Sequence, residues 1–156
     1  MQASIVLRHG GESDRAFVLD LGHRTALDSV STLRTPPQGL LDLSYDRLID
    51  FAFERSYVLV IAETALEGPL GFLLMLDDVP DEVTALPQGF IAYMAVEPDA
   101  RRRGVAALLL GAAEDAARGR GLPFMALMVT EDNVAARELY AQAGYATERR
   151  LLCKTL

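Results

Sequence analysis

The chain has 156 residues, 51% of them hydrophobic, and 22 acidic against 15 basic side chains give a formal charge of -7. That length suits one domain spanning 1-156, with material for a substantial core. The negative balance excludes a general nucleic-acid binder, which needs a basic face to displace counterions, and it is compatible with a cationic substrate such as an amine.

Cys153 is the only cysteine, so an intrachain disulfide and a cysteine zinc cluster are both excluded. His9 and His23 have no ligand spacing between them, and no metal is expected. The opening "MQASIVLRHG" lacks an apolar run long enough for a signal peptide, and no stretch is apolar enough to span a bilayer. The cytoplasm is the expected location.

In chain order, "ASIVLRHG" reads as a first strand ended by Gly10 and Gly11. A helical pattern follows over residues 13–31, with Ser13 as N-cap and Phe17, Leu21 and Leu27 among its apolar positions. Pro36-Pro37 stops whatever precedes it. A second helix is expected over residues 44–55, burying Leu48, Ile49, Phe51 and Ala52. "SYVLVIAET" and "LGFLLMLDD" form an antiparallel pair across "EGP". After the acidic loop "DDVPDEVTALPQG", the strand "FIAYMAVE" leads into "RRRGVA". The rest alternates helix, strand, helix, strand: "GVAALLLGAAEDAARGRG", "PFMALMVT", "NVAARELYAQAG", "YATERRLLCKTL". The order predicts an α+β fold with a mixed, mostly antiparallel sheet.

The arginine run is the chemical signal. A strand, a tight turn, a glycine and a helix N-terminus form an anion trap, because first-turn amides point outward and the macrodipole adds positive charge. Gly104 lets backbone approach a bulky anion, small Ala106 keeps the next turn open, and arginines beside the turn add charge-assisted hydrogen bonds. A diphosphate is a natural guest. The run could equally be a solvated basic patch. Neither G-x-x-x-x-G-K-[ST] nor an N-terminal G-x-G-x-x-G is present, which excludes two common phosphate loops.

These residues resemble the GCN5-related N-acetyltransferase (GNAT) superfamily. Arg101-Arg102-Arg103-Gly104-Val105-Ala106 fits its acetyl-CoA motif, Arg/Gln-x-x-Gly-x-Gly/Ala, and Val96-Glu97-Pro98 fits the strand end just upstream. Downstream, Asn133, Ala136, Tyr140, Gly144 and Tyr145 match N-x-x-A-x-x-x-Y-x-x-x-G-[FY]. The resemblance is strong over residues 88 to 147. It implies splayed central strands flanked by helices, with the pantetheine arm of acetyl-CoA entering between "FIAYMAVE" and "PFMALMVT". Backbone groups of Met94, Ala95 and Val96 would pair with that arm, and amides from Arg101 to Ala106 would hold the pyrophosphate. Asn133 would bond the cofactor and also cap the last helix.

The resemblance makes Tyr140 the expected general acid for the departing thiolate. A phenol near pKa 10 is a weaker acid than a thiol near 8.5, so full transfer is uphill by roughly 2 kcal/mol, and a hydrogen bond or proton relay is easier. A packed helix tyrosine is the plain alternative. The glutamate that some members carry on the strand resembling "GFIAYMAV" is missing: Tyr93 is the only ionisable side chain there. Glu97 stands at the strand end, where its usual counterpart faces away. A water chain, or an acid among Asp77, Asp78, Asp81 and Glu82, is the expected base.

The resulting expectation is an acetyl-CoA-dependent transferase acting on a primary amine of a small molecule or peptide by direct attack in a ternary complex. The alternative is a CoA- or acyl-CoA-binding sensor without turnover, and a third reading changes the acyl donor or acceptor. Family members often form homodimers, though no segment here marks a self-interface.

Overall fold

The computed structural model describes residues 3–156. Met1 and Gln2, at the head of the segment read as carrying no signal peptide, lie outside the described residues. Strand β1 (Val6–His9) leads into helix α1 (Arg15–Thr25), and helix α2 (Gln38–Phe53) follows. Strands β2 (Tyr57–Thr64), β3 (Gly68–Leu76) and β4 (Gly89–Val96) are consecutive. Helix α3 (Val105–Gly119), strand β5 (Met125–Leu127) and helix α4 (Val134–Gln142) complete the fold. The sheet order is β1-β2-β3-β4-β5; every pair is antiparallel except β4 with β5, which is parallel.

Alternation along the central strands separates two cores. Val58, Val60, Leu73 and Met75 face α3, meeting Leu109 and Ala113. Leu59, Ile61, Phe72 and Leu74 face the other way, onto Leu21 of α1 and Ile49 of α2. A fully buried side chain of this size contributes about 1.5–3 kcal/mol, so the interleaved pattern fixes which helices cover which face.

Several element ends differ from the sequence reading. Asp14, not Ser13, stands before α1; it is buried, accepts hydrogen bonds from the Arg8 guanidinium at 3.0 and 2.8 Å, and accepts another from the Gly11 N–H. Leu27, expected in the helix stripe, is 63% exposed in a 3-10 turn. Helix α2 begins six residues earlier than expected, directly after Pro37, whose missing N–H and fixed φ suit a helix entry. Its buried residues are Tyr45, Ile49 and Ala52, whereas Phe51 faces solvent.

The last expected strand does not form. Residues 146–156 have no regular secondary structure and are exposed. Strand structure needs a ladder partner, but this segment is held instead by Arg149, which pairs with Asp81 and Glu82.

One irregularity shapes the site. Leu74 pairs with Tyr93 but Met75 pairs with Ile91, so Ala92 is an extra residue, a bulge in β4. Pairing with β5 ends at Ile91↔Leu127, immediately before it. A bulge bends its strand and sharpens the twist. Residues Ala92 to Val96 therefore run on without a β5 neighbour, and the two parallel strands splay.

Candidate active site

The splay opens towards the start of α3. Beyond Val96, residues Pro98–Ala100 make one 3-10 turn, Arg102 and Gly104 take positive φ of 64° and 79°, and the helix starts at Val105. No side chain caps that helix. Its first internal hydrogen bond runs from the Leu108 N–H to the Gly104 carbonyl, 3.1 Å, so the amides just ahead of Leu108 are free to meet an anion. The left-handed Gly104 is the geometric reason for a glycine here. Nothing lies within 4 Å of where its Cβ would stand, so the approach is open.

The three arginines have separate fates. Arg103 is largely covered and donates both terminal nitrogens to Glu67, at 2.9 and 3.0 Å, and Glu67 is steadied by the Thr64 hydroxyl at 3.1 Å. That guanidinium holds the Glu67 carboxyl below the usual carboxylate range, with the Thr64 hydroxyl helping. The clamp ties the doorway turn to the β2–β3 turn. Arg101 donates to Asp28 at 3.1 Å, from the segment after α1. Arg102 is exposed and makes no ion pair among the described residues.

The opposite rim of the splay is the β5–α4 turn. Asn133 caps α4, its side chain accepting the Ala136 N–H at 3.2 Å, while its amide nitrogen reaches the Asp28 carbonyl at 3.5 Å. Tyr140 follows two turns along α4 and packs on the α3-side core, edge-on to Tyr145 with centroids 5.8 Å apart. Burial pushes its phenol above the ordinary value. Met94 and Val96 pack against the same core, and Ala95 is buried on the other face. Met94, Val96 and Tyr140 thus pack on one core, and Asp28 links Arg101 to Asn133.

The expected bases fare differently. Asp77, Asp78 and Asp81 pair with Arg120, Arg55 and Arg149. Their loop joins the end of β3 to the start of β4, about 23 Å from the β4 C-terminus for an eight-residue strand. Tyr93 is no base: burial, before any neighbouring charge, raises its phenol, and its hydroxyl bonds Thr25 at 3.1 Å. Glu97 is taken by Arg24 at 2.7 Å. Asp28 was missed by the sequence reading, and no local signal marks it, because its partner Arg101 is 73 residues away.

The acetyltransferase (GNAT) family model matches residues 27–145. The chain belongs to that family. Membership makes it an acyltransferase using an acyl-CoA donor, and the splayed, helix-flanked sheet is the GNAT fold. A similar solved structure is a putative acetyl transferase from Pyrococcus furiosus, with TM-score 0.84 and 21% identity over 98% of this chain and all of that one (100%). A ribosomal-protein-alanine N-acetyltransferase from Brucella melitensis biovar Abortus 2308 is similar at TM-score 0.71 and 20% identity, covering 98% of this chain and 99% of that one. AAC(6')-Iy in complex with the bisubstrate analog CoA-S-monomethyl-acetylneamine is similar at TM-score 0.70 and 18% identity, covering 99% of both chains. No curated protein matches.

Proposed function

We propose that this GNAT enzyme transfers the acetyl group of acetyl-CoA to a primary amine of a small molecule or peptide, by direct attack in a ternary complex. One observation carries the reading: the bulge at Ala92 frees the edge of β4 where it runs toward the uncapped N-terminus of α3. An extended arm bearing a diphosphate fits that arrangement. The freed backbone of Met94, Ala95 and Val96 pairs with the arm like an added strand, and the amides from Arg101 to Ala106 take the pyrophosphate. Arg102 adds its guanidinium, and Asn133 adds its amide from the opposite rim. Acetyl-CoA supplies an activated thioester; the chain's part is positioning and charge.

Strand amides beside the splay hold the oxyanion as it forms, which is commonly the largest share of rate enhancement. Tyr140 donates its hydroxyl proton in a hydrogen bond to the departing sulfur. Its raised pKa favours that hydrogen bond over full proton transfer. Water relays the amine proton outward, since Asp77, Asp78 and Asp81 are engaged by Arg120, Arg55 and Arg149. The reading carries a cytoplasmic enzyme with no nucleic-acid partner. No helix among the described residues is long and apolar enough to cross a membrane.

Acetyl-CoA should raise the melting temperature by mass action, desulfo-CoA nearly as much, and adenine little. A panel of polyamines, aminoglycosides, amino acids and peptide N-termini, followed by thiol release, then identifies the acceptor. No shift at millimolar acetyl-CoA ends the reading. A shift with no thiol release from any amine would point instead to a CoA-binding module without turnover.

A further inference from the structure

The segment after α1 joins the two rims of the splay. Its Asp28 carboxylate accepts from Arg101 at 3.1 Å, on the β4–α3 rim. On the β5–α4 rim, the Asp28 carbonyl meets the Asn133 amide, the Ser29 carbonyl accepts from the Thr130 hydroxyl, and Asp132 accepts the Thr32 N–H at 2.9 Å and its hydroxyl at 3.2 Å. The base of the segment is anchored: Ala26 is buried, and Thr25 bonds Tyr93 on β4 at 3.1 Å. Residues 28–32 therefore form a strap. Two of the residues it engages, Arg101 and Asn133, also serve acetyl-CoA in the proposed reading, Arg101 through its backbone N–H and Asn133 through its side-chain amide.

We propose that residues 28–32 are a latch that acetyl-CoA displaces, and that Asp28, released from Arg101, is the carboxylate that receives the acceptor's ammonium group. The inference rests on the acetyl-CoA reading above. A diphosphate seated on the Arg101-to-Ala106 amides stands beside the Arg101 guanidinium and competes with Asp28 for it, so binding of the first frees the second. Asp28 then lies at the mouth of the splay without its counter-ion, beside the bonded hydroxyls of Thr25 and Tyr93. A primary ammonium restores the lost pairing. The acceptor is drawn in as a cation. The Arg101–Asp28 pair is well exposed, 49% and 55% for the two side chains, so the latch is weak enough for a diphosphate to open.

Two measurements on the full chain test this. Calorimetric titration with CoA compares wild type, Asp28→Asn and Asp99→Asn. Asp99 is exposed, two residues from Arg101, and forms no ion pair among the described residues, so its variant removes the same charge without cutting the strap. Asp28→Asn should bind CoA about fivefold more tightly than wild type, the most an exposed pair usually contributes, and Asp99→Asn less than twofold. Hydrogen exchange at the Thr32 amide, now bonded to Asp132, should quicken when CoA is added. With an acceptor in hand, Asp28→Asn should raise the acceptor KM at least tenfold while kcat at saturation stays within a few-fold. Equal tightening by Asp99→Asn, unchanged binding in Asp28→Asn, slower exchange at Thr32 or an unchanged acceptor KM each overturns the latch while leaving the acetyl-CoA reading intact. If wild type binds no CoA, that reading falls and the latch with it.

Discussion

Tyr140 sits in a paradox of its own burial. Packing against Tyr145 and the α3-side core lifts its phenol above the ordinary value, so its proton is held more firmly than in water. Against a thiol near 8.5, full transfer becomes still less favourable, so the role proposed for Tyr140 is a hydrogen bond to the departing sulfur in the transition state. Tyr140→Phe should leave CoA affinity and melting temperature nearly unchanged while kcat falls about 10²-fold where chemistry limits turnover. Because the folded pKa is raised, any alkaline limb due to this phenol lies above about 10, and the variant should lack it. An unchanged kcat would reduce Tyr140 to packing. The doorway arginines divide by their partners in the same way. Arg102→Ala should weaken CoA at least tenfold without lowering the melting temperature, because its side chain is exposed and holds nothing else. Gly104 has φ of 79°, where a side chain costs roughly 1–2 kcal/mol or more. Gly104→Val therefore tests fold and affinity together and cannot separate them.

At the scale of elements, the position of β4 is what makes the splay usable, and β3 holds it from behind. A Cβ on Gly71 would meet the Ala95 carbonyl oxygen at 2.8 Å and the Val96 Cα at 3.2 Å, both backbone atoms of β4. Backbone in a ladder gives way only by moving the strand. Gly71→Ala should lower stability by about 1–3 kcal/mol, the usual scale of overpacking, and should also weaken CoA because Ala95 and Val96 are displaced. Gly39→Ala is the matched control: it lies on α2 with nothing within 4 Å of the added methyl. Its melting temperature should be unchanged or higher. Loss of stability without loss of affinity in Gly71→Ala would mean that β4 is not where the cofactor arm pairs.

At the scale of the whole molecule, the 77–88 loop works as an anchor. Asp81 accepts from the Thr84 hydroxyl at 2.8 Å and its N–H at 2.7 Å, and Arg149 pairs with it from the C-terminal segment. The Thr84 hydroxyl and N–H, ahead of Arg149, pull its pKa from 3.8 down to about 2. A carboxylate with a lowered folded pKa adds stability above its unfolded value, and that stability is lost as pH falls through the folded one. Asp81→Asn should therefore melt below wild type at pH 5, with the gap closing between pH 4 and pH 2. A gap of equal size at both ends would show that the charge of Asp81 is not what holds the loop.

What the sequence determined by itself is contiguous along the chain. The 101–106 turn and the Asn133-to-Tyr145 run are each read within one strand–helix junction or one helix, where spacing alone sets which atoms share a face. The order of elements and the antiparallel β2–β3 pair were legible for the same reason, since period and turn chemistry are local. Tertiary structure decided everything that depends on distant partners. Arg103 is a clamp because Glu67 lies 36 residues back, and Arg101 is latched because Asp28 lies 73 residues back. The sheet sets the acidic loop at the start of β4, where Arg120, Arg55 and Arg149 pair with Asp77, Asp78 and Asp81. Residues 146–156 looked like a strand, but a strand exists only where another edge meets it, and here an ion pair to Asp81 holds the segment instead. The bulge at Ala92 was likewise invisible, because a bulge is a mismatch between two strands and belongs to neither sequence alone.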